Sequence, residues 1–138
     1  MKSLSVESIA QAIVTRRDHG GNVFVCGNGG SASTAEHFTN DLFSKGVKAY
    51  CLSSNTAIIT MIANDFGYEY IFSKQLEVYS FLSDLLIVFS CSGKSKNIMN
   101  AIEHGLETIT IFGNEDLTYQ ENENEHLRVA HEISDGID

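Results

Sequence analysis

The feature that most narrows the possible folds is the run at residues 85–91, LLIVFSC, which is apolar without alternation and ends in small residues. A strand with one wet face alternates apolar and polar side chains, so an unbroken run reads as a strand covered on both faces, as inside a parallel sheet. Residues 22–26, NVFVC, have the same character and run into glycines. Residues 48–52 and 107–112 (ETITIF) read as two further strands. Between the strands the period changes to that of a helix. Residues 5–17 carry a stripe of Val6, Ile9, Ala10, Ile13 and Val14, and Gly20 and Gly21 stop it. Further helices are predicted over 31–44, 56–63, 72–81, 96–103 and 121–133, with Gly46 and Gly105 as stops and a turn at 64–67. Strands alternating with helices predict an α/β fold with right-handed crossovers and a mainly parallel sheet. A length of 138 residues suits one domain, 1–138, with no room for a second.

Charge removes several classes of function. A formal net charge of −9 is the wrong sign for a phosphate-backbone binder, so nucleic acid is excluded as a partner. An acidic chain that binds a phosphorylated small molecule must do so with local donors, because its overall field repels the ligand. No apolar run approaches the roughly 20 residues of a spanning helix, and the opening MKSLSVESIAQAI lacks a signal-peptide core. These features predict a cytoplasmic protein with no membrane partner. Cys26, Cys51 and Cys91 form no close pair and are expected reduced and largely buried; their spacing does not support a three-cysteine zinc site.

In a doubly wound sheet, ligands bind beyond the carboxyl ends of the strands, which directs attention to the loops after strands one and three. The first reads Gly27-Asn28-Gly29-Gly30-Ser31-Ala32-Ser33, and Gly27, Gly29 and Ala32 satisfy a dinucleotide fingerprint. Its companion acid is missing, since strand two runs into Cys51-Leu52-Ser53-Ser54-Asn55, so no nucleotide is expected. A tight turn needing positive φ is the plainer alternative. The second loop reads Ser90-Cys91-Ser92-Gly93-Lys94-Ser95. Its Gly-Lys-Ser triplet is not a P-loop, because Val88 stands where that motif needs glycine. What remains is a set of hydroxyls at a strand-to-helix junction, where free N–H groups make a neutral cradle for phosphate. Simple helix capping by one serine is the competing reading. In the helix after the first loop, His37 and Asp41 lie four apart on one face, a spacing that suits metal chelation or acid–base chemistry. A histidine with a purely structural role is the alternative.

Taken together, G-N-G-G-S, Ala35-Glu36-His37-Phe38, Asn64-Asp65, S-x-S-G-x-S and the closing E-N-E-H-L-R-V-A-H resemble the SIS-domain phosphosugar isomerases. Within them the pattern is similar to the sedoheptulose 7-phosphate isomerases. The resemblance implies a three-layer flavodoxin-like fold of four to five strands and an active site shared between the subunits of a homodimer or homotetramer. It implies conversion of sedoheptulose 7-phosphate to D-glycero-D-manno-heptose 7-phosphate through an enediol, in heptose synthesis for lipopolysaccharide or capsule. Ser90, Ser92 and Ser95 would then bind phosphate, and Asn28, Gly29, Gly30, Ser31, Ser53 and Asp65 would contact the substrate. Asp41, Glu123, His131 and Asp65 would be catalytic, and His37, Asp41, Glu123 and His131 would hold one zinc ion. Glu123 and His131, eight residues apart and just over two helical turns, are expected to point the same way.

Three departures stand out. Asp41 replaces the usual Glu, Glu123 replaces a Gln, and the chain is shortened at its N-terminus and again before the last helix. Only residues 113–120 separate strand four from that helix, too few for a fifth strand with its loops, which leads us to expect the closing helix displaced. A non-catalytic SIS module that senses a sugar phosphate, or binds a replication initiator, is the alternative function.

Overall fold

The computed structural model describes residues 4–138. Its elements are α1 (Val6–Asp18), β1 (Asn22–Cys26), α2 (Gly30–Ser44), β2 (Lys48–Cys51), α3 (Thr56–Asp65), α4 (Ser73–Tyr79), β3 (Leu85–Ser90), α5 (Lys96–Glu103), β4 (Glu107–Phe112) and α6 (Tyr119–Asp135). A single 3-10 turn at Tyr68–Tyr70 lies between α3 and α4. The four strands are all parallel, in the order β2-β1-β3-β4. Every residue of β3 is buried, as its unbroken apolar run requires.

Because side chains of a strand alternate between faces, β1 and β3 each feed two cores. Val23, Val25, Leu85, Ile87 and Phe89 pack under α1, α2 and α6, against Ile13, Phe38, Leu42 and Ile133. Phe24, Cys26, Leu86 and Val88 pack on the other face, against Ile62, Leu76 and Ile98 of α3, α4 and α5. The result is three layers, with the helices that follow β1 and β4 on one side and those that follow β2 and β3 on the other.

At the amino ends of the central strands, the buried Asp84 carboxylate joins the chain together. It accepts from the Asn22 backbone N–H (2.9 Å), the Asn22 Nδ2 (3.2 Å) and the Phe81 N–H (2.8 Å).

Two expectations need correction. Asn64 and Asp65 are the last turn of α3 rather than a turn of their own, because the Asn55 carboxamide caps α3 through the Ile58 N–H and the helix runs on to Asp65. The closing helix is not displaced either. Residues 113–118 carry the chain directly into α6, whose Thr118–Glu121 capping box fixes its start, and α6 packs on α1 and α2. Buried Ala130 and Ile133 supply the apolar stripe that holds it there. Cys26 is buried, Cys51 and Cys91 are half-buried, and all three are free thiols.

One buried group works against the fold. His126 of α6 is 3 % exposed, tilted against the Phe89 ring with centroids 6.1 Å apart, and neither ring nitrogen has a hydrogen-bond partner among the described residues. A buried polar atom left unpaired costs about 1–3 kcal/mol, and an apolar side chain of similar shape relieves that cost. His126→Leu is therefore expected to raise the midpoint of thermal unfolding by several degrees, measured by circular dichroism or calorimetry.

Candidate active site

The chain turns left after β1, to β2, and right after β2, to β3, so the carboxyl ends of β1 and β3 open a crevice between diverging loops. Two helices start there, α2 after β1 and α5 after β3. Neither is capped by a side chain. In α1, α3 and α6, by contrast, Ser5, Asn55 and Thr118 each cap the first turn. The first-turn N–H groups of α5 are thus left unpaired at the crevice, whereas in α2 those of Ser31 and Ala32 already donate to the Asn28 and Gly29 carbonyls.

A cavity of ≈ 140 Å³ occupies this crevice, lined by Asn28, Ser31, Ser90, Cys91, Ser92, Ser95, Tyr119 and Glu123. Ser90 and Ser92 spend their lone pairs locally, accepting from the N–H groups of Gly93 (2.9 Å) and Lys94 (3.1 Å). Their hydroxyl protons stay available, as does the whole hydroxyl of Ser95, which stands at the N-cap position of α5 without capping it. Ser53, expected at the ligand, serves the fold instead. Its hydroxyl donates to the Gly27 carbonyl at 2.8 Å, fastening the end of β2 to the glycine loop. Asp65 is exposed at the end of α3, accepts from Asn64 Nδ2 at 3.0 Å, and does not line this cavity.

The glycine loop permits a close approach. Gly29 takes φ 56°, ψ −122°, a conformation that side-chain-bearing residues avoid. Gly30 opens α2, and a Cβ there would lie 2.1 Å from Glu123 Oε1. The Glu123 carboxylate therefore rests on the first turn of α2, at the mouth of the cavity. Sequence reasoning missed two lining residues, Cys91 and Tyr119. Cys91 was legible in part, since it stands between two serines at the end of β3. Its Sγ lies 4.0 Å from Ser31 Oγ. Burial pushes the Cys91 thiol above its usual range; the Ser31 hydroxyl opposes this and the Glu123 charge adds to it.

Further along α2 is a second cluster. Asp41 Oδ2 lies 3.5 Å from His37 Nε2 and 3.6 Å from His131 Nδ1, and the two imidazoles meet edge to face with centroids 4.8 Å apart. Asp41 Oδ2 is buried and makes no hydrogen bond among the described residues. A zinc ion bound at about 2.1 Å in tetrahedral geometry separates its ligand atoms by about 3.4 Å, close to both observed separations. His37, Asp41 and His131 offer three ligand atoms all within 4.8 Å of one another, so the residues present fit a zinc ion.

Glu123 does not join this cluster. Gly30, against which it rests, precedes His37 by seven residues, an axial rise of about 10 Å along α2. Eight residues on α6 put Glu123 and His131 on one face, but with an axial separation of about 12 Å. Facing the same way is not reaching the same atom.

Residues 2–111 match the SIS domain family. The chain belongs to the SIS domain family. Among SIS relatives, the phosphoheptose isomerase of Helicobacter pylori (strain Shi470) is 40 % identical over 111 residues, covering 73 % of this chain and 58 % of that protein. The chain thus spans less than two thirds of the curated relatives it matches. A solved phosphoheptose isomerase from Francisella tularensis superposes with a TM-score of 0.87 at 28 % identity, over 96 % of this chain and 85 % of that one. The phosphoheptose isomerase of Neisseria gonorrhoeae gives a TM-score of 0.90 at 24 % identity, over 96 % and 84 %, a likeness of fold.

The placement of Glu123 in this SIS domain has a measurable consequence. A carboxylate at the rim of an anion cavity repels a phosphate a few ångströms away, and one unit charge at such range is worth about 1 kcal/mol or more. Glu123→Gln is expected to tighten binding of inorganic phosphate by on the order of tenfold, read by titration calorimetry at constant ionic strength.

Proposed function

We propose that this SIS domain is an aldose–ketose isomerase acting on sedoheptulose 7-phosphate. The observation that carries the reading is the pairing of two clusters at a defined separation. The serine cavity at the start of α5 suits a phosphate, and His37 of the His37–Asp41–His131 cluster stands seven residues, an axial rise of about 10 Å, beyond Gly30, on which Glu123 of that cavity rests. An extended seven-carbon sugar phosphate spans about 10 Å from its first carbon to phosphorus, eight bonds of about 1.5 Å in zigzag. With the phosphate at Ser92 and Ser95, the carbonyl end falls at the histidines. The relatives named phosphoheptose isomerase support the same substrate.

In this mechanism Asp41 acts at the carbonyl end. Its Oδ2 lies between the imidazoles, which leaves Oδ1 to take a proton. The proton leaves C1 of the ketose, its electron pair forms the C1–C2 double bond, and the C2 carbonyl oxygen takes a proton from His131. The enediol then collapses the other way: the O1 hydroxyl loses its proton to His131, the C1 carbonyl forms, and Asp41 returns a proton to C2. His37, Asp41 and His131 would hold a zinc ion that polarises the carbonyl as a Lewis acid. Asn28, Ser31 and Glu123 line the serine cavity and would contact substrate oxygens. Asp65, exposed on α3, would reach a substrate only in a neighbouring subunit.

A coupled assay of sedoheptulose 7-phosphate turnover tests this directly, alongside metal analysis of the purified protein. His131→Ala and Asp41→Asn are each expected to lower kcat by roughly two to four orders of magnitude, the usual range for a lost acid or base. Both side chains are at least partly exposed, so the unfolding midpoint should hardly move. His131→Ala should also weaken zinc retention. A protein that binds inorganic phosphate yet neither turns over the sugar nor holds metal would be a phosphosugar-binding module instead.

We also propose that the active form is a homo-oligomer in the cytoplasm. The cavity at the serines has room for a phosphate but not for a heptose, so further walls must come from elsewhere. A second cavity, of ≈ 740 Å³, lies apart from it along the edge strand β2, between α2 and Tyr79, and exposed Phe43 and Tyr50 border it. A large apolar surface of this kind suits a second copy. Three free thiols suit a reducing compartment, and among the described residues no helix is long and apolar enough to cross a membrane. Light scattering at micromolar concentration is expected to give at least twice the monomer mass.

A further inference from the structure

Asn28, in the loop after β1, and Asn97, the second residue of α5, hold each other in a reciprocal amide pair. Asn28 Nδ2 donates to Asn97 Oδ1 at 2.9 Å, and Asn97 Nδ2 donates to Asn28 Oδ1 at 2.9 Å. The two differ in setting. Asn97 is 3 % exposed, whereas Asn28 lines the serine cavity. A third partner arrives from the 3-10 turn, where the Tyr68 hydroxyl donates to Asn28 Oδ1 at 3.4 Å. The same helix steadies that turn, since Asn100 Nδ2 donates to the Glu69 carbonyl at 2.9 Å.

Counting the hydrogen-bond capacity of Asn28 shows what it can offer a ligand. A carboxamide oxygen has two lone pairs and its nitrogen two hydrogens. Asn97 and Tyr68 occupy both lone pairs, and Asn97 takes one of the hydrogens. One N–H remains, on a residue that borders the cavity. We propose that Asn97 is a positioning residue that holds the Asn28 carboxamide in place, with the Tyr68 hydroxyl, so that its remaining N–H is held at this wall of the cavity for phosphate or hydroxyl oxygens. Without Asn97, the Asn28 side chain is free to rotate and present either end.

The pair also ties together the two halves of the site. Asn97 belongs to the uncapped first turn of α5, and Asn28 to the loop that opens α2. A phosphate drawn to the start of α5 therefore meets an Asn28 already set by the same turn. The inference rests on reading this cavity as the phosphate end of a sugar-phosphate site.

The test is a double-mutant cycle on inorganic phosphate affinity, measured by calorimetry, with steady-state kinetics on sedoheptulose 7-phosphate beside it. Asn97→Leu is expected to weaken phosphate binding roughly tenfold, the order of one hydrogen bond to a charged group. It should raise KM by a similar factor and leave kcat within about twofold, because proton transfer occurs at the distant histidines. Asn28→Ser should show the same loss, and the double variant no further loss, since both remove one donor. Asn97→Ser serves the same cycle if the leucine variant does not fold. Additive losses in the double variant, or unchanged phosphate affinity in a folded Asn97 variant, would overturn the proposal, as would a wild-type protein that binds no phosphate. Phosphate binding without sugar turnover would sink the isomerase reading alone and leave this cycle fully informative.

Discussion

β1 and β3 pair directly although β2 and three α-helices separate them in sequence, and this pairing sends the chain left after one strand and right after the next. The reversal leaves nothing to fill the space beyond their carboxyl ends. Two helices start at that gap without a side-chain cap, and the hydroxyls of the S-C-S-G-K-S loop line it. Were the strands in simple sequential order, each loop would be covered by the next crossover, and no such crevice would form. The buried Asp84 carboxylate, holding the opposite ends of the same two strands, keeps this geometry from shearing.

The second dependence is the packing of α6 alongside α2. Both helices lie on the same face of the sheet, and they run in the same direction, with Glu123 against Gly30 and His131 beside His37 and Asp41. Position along α2 thus separates two sets of polar groups. Near its start are anion donors and one acid, and further on are two imidazoles and a carboxylate whose Oδ2 finds no hydrogen bond among the described residues. An orphaned buried oxygen costs about 1–3 kcal/mol when nothing pairs with it. The short aspartate still comes within 3.6 Å of His131 Nδ1, across helices that share the core around Phe38 and Ala130.

Most of the fold could be read from local pattern. The unbroken run in β3, the glycine stops and the hydroxyl loop each specify an element or an end by short-range chemistry, and β3, α5 and β4 lie within a residue of where the period placed them. The end of α3 was misjudged because Asn and Asp favour turns in isolation, whereas here a capped helix carries them in its last turn. The place of α6 differs from expectation for another reason: the loop before it is short, but the apolar stripe of Ala130 and Ile133 and the capping box at Thr118 set where the helix lands.

Sequence alone determined the chemistry available: which residues could bind phosphate, which could hold a metal or move a proton, and that they would gather at the carboxyl ends of a parallel sheet. These follow from side-chain type and from periods of two and 3.6 residues, which are properties of the chain itself. Only the tertiary structure decided how those residues divide. Ser53 fastens a strand end, Asp65 lies on the surface, and Glu123 leaves the histidines for the first turn of α2. Periodicity gives the direction in which a side chain points, and distance along a helix axis accumulates without changing that direction. The separation of two groups on one face is therefore settled only when a second helix is laid against the first.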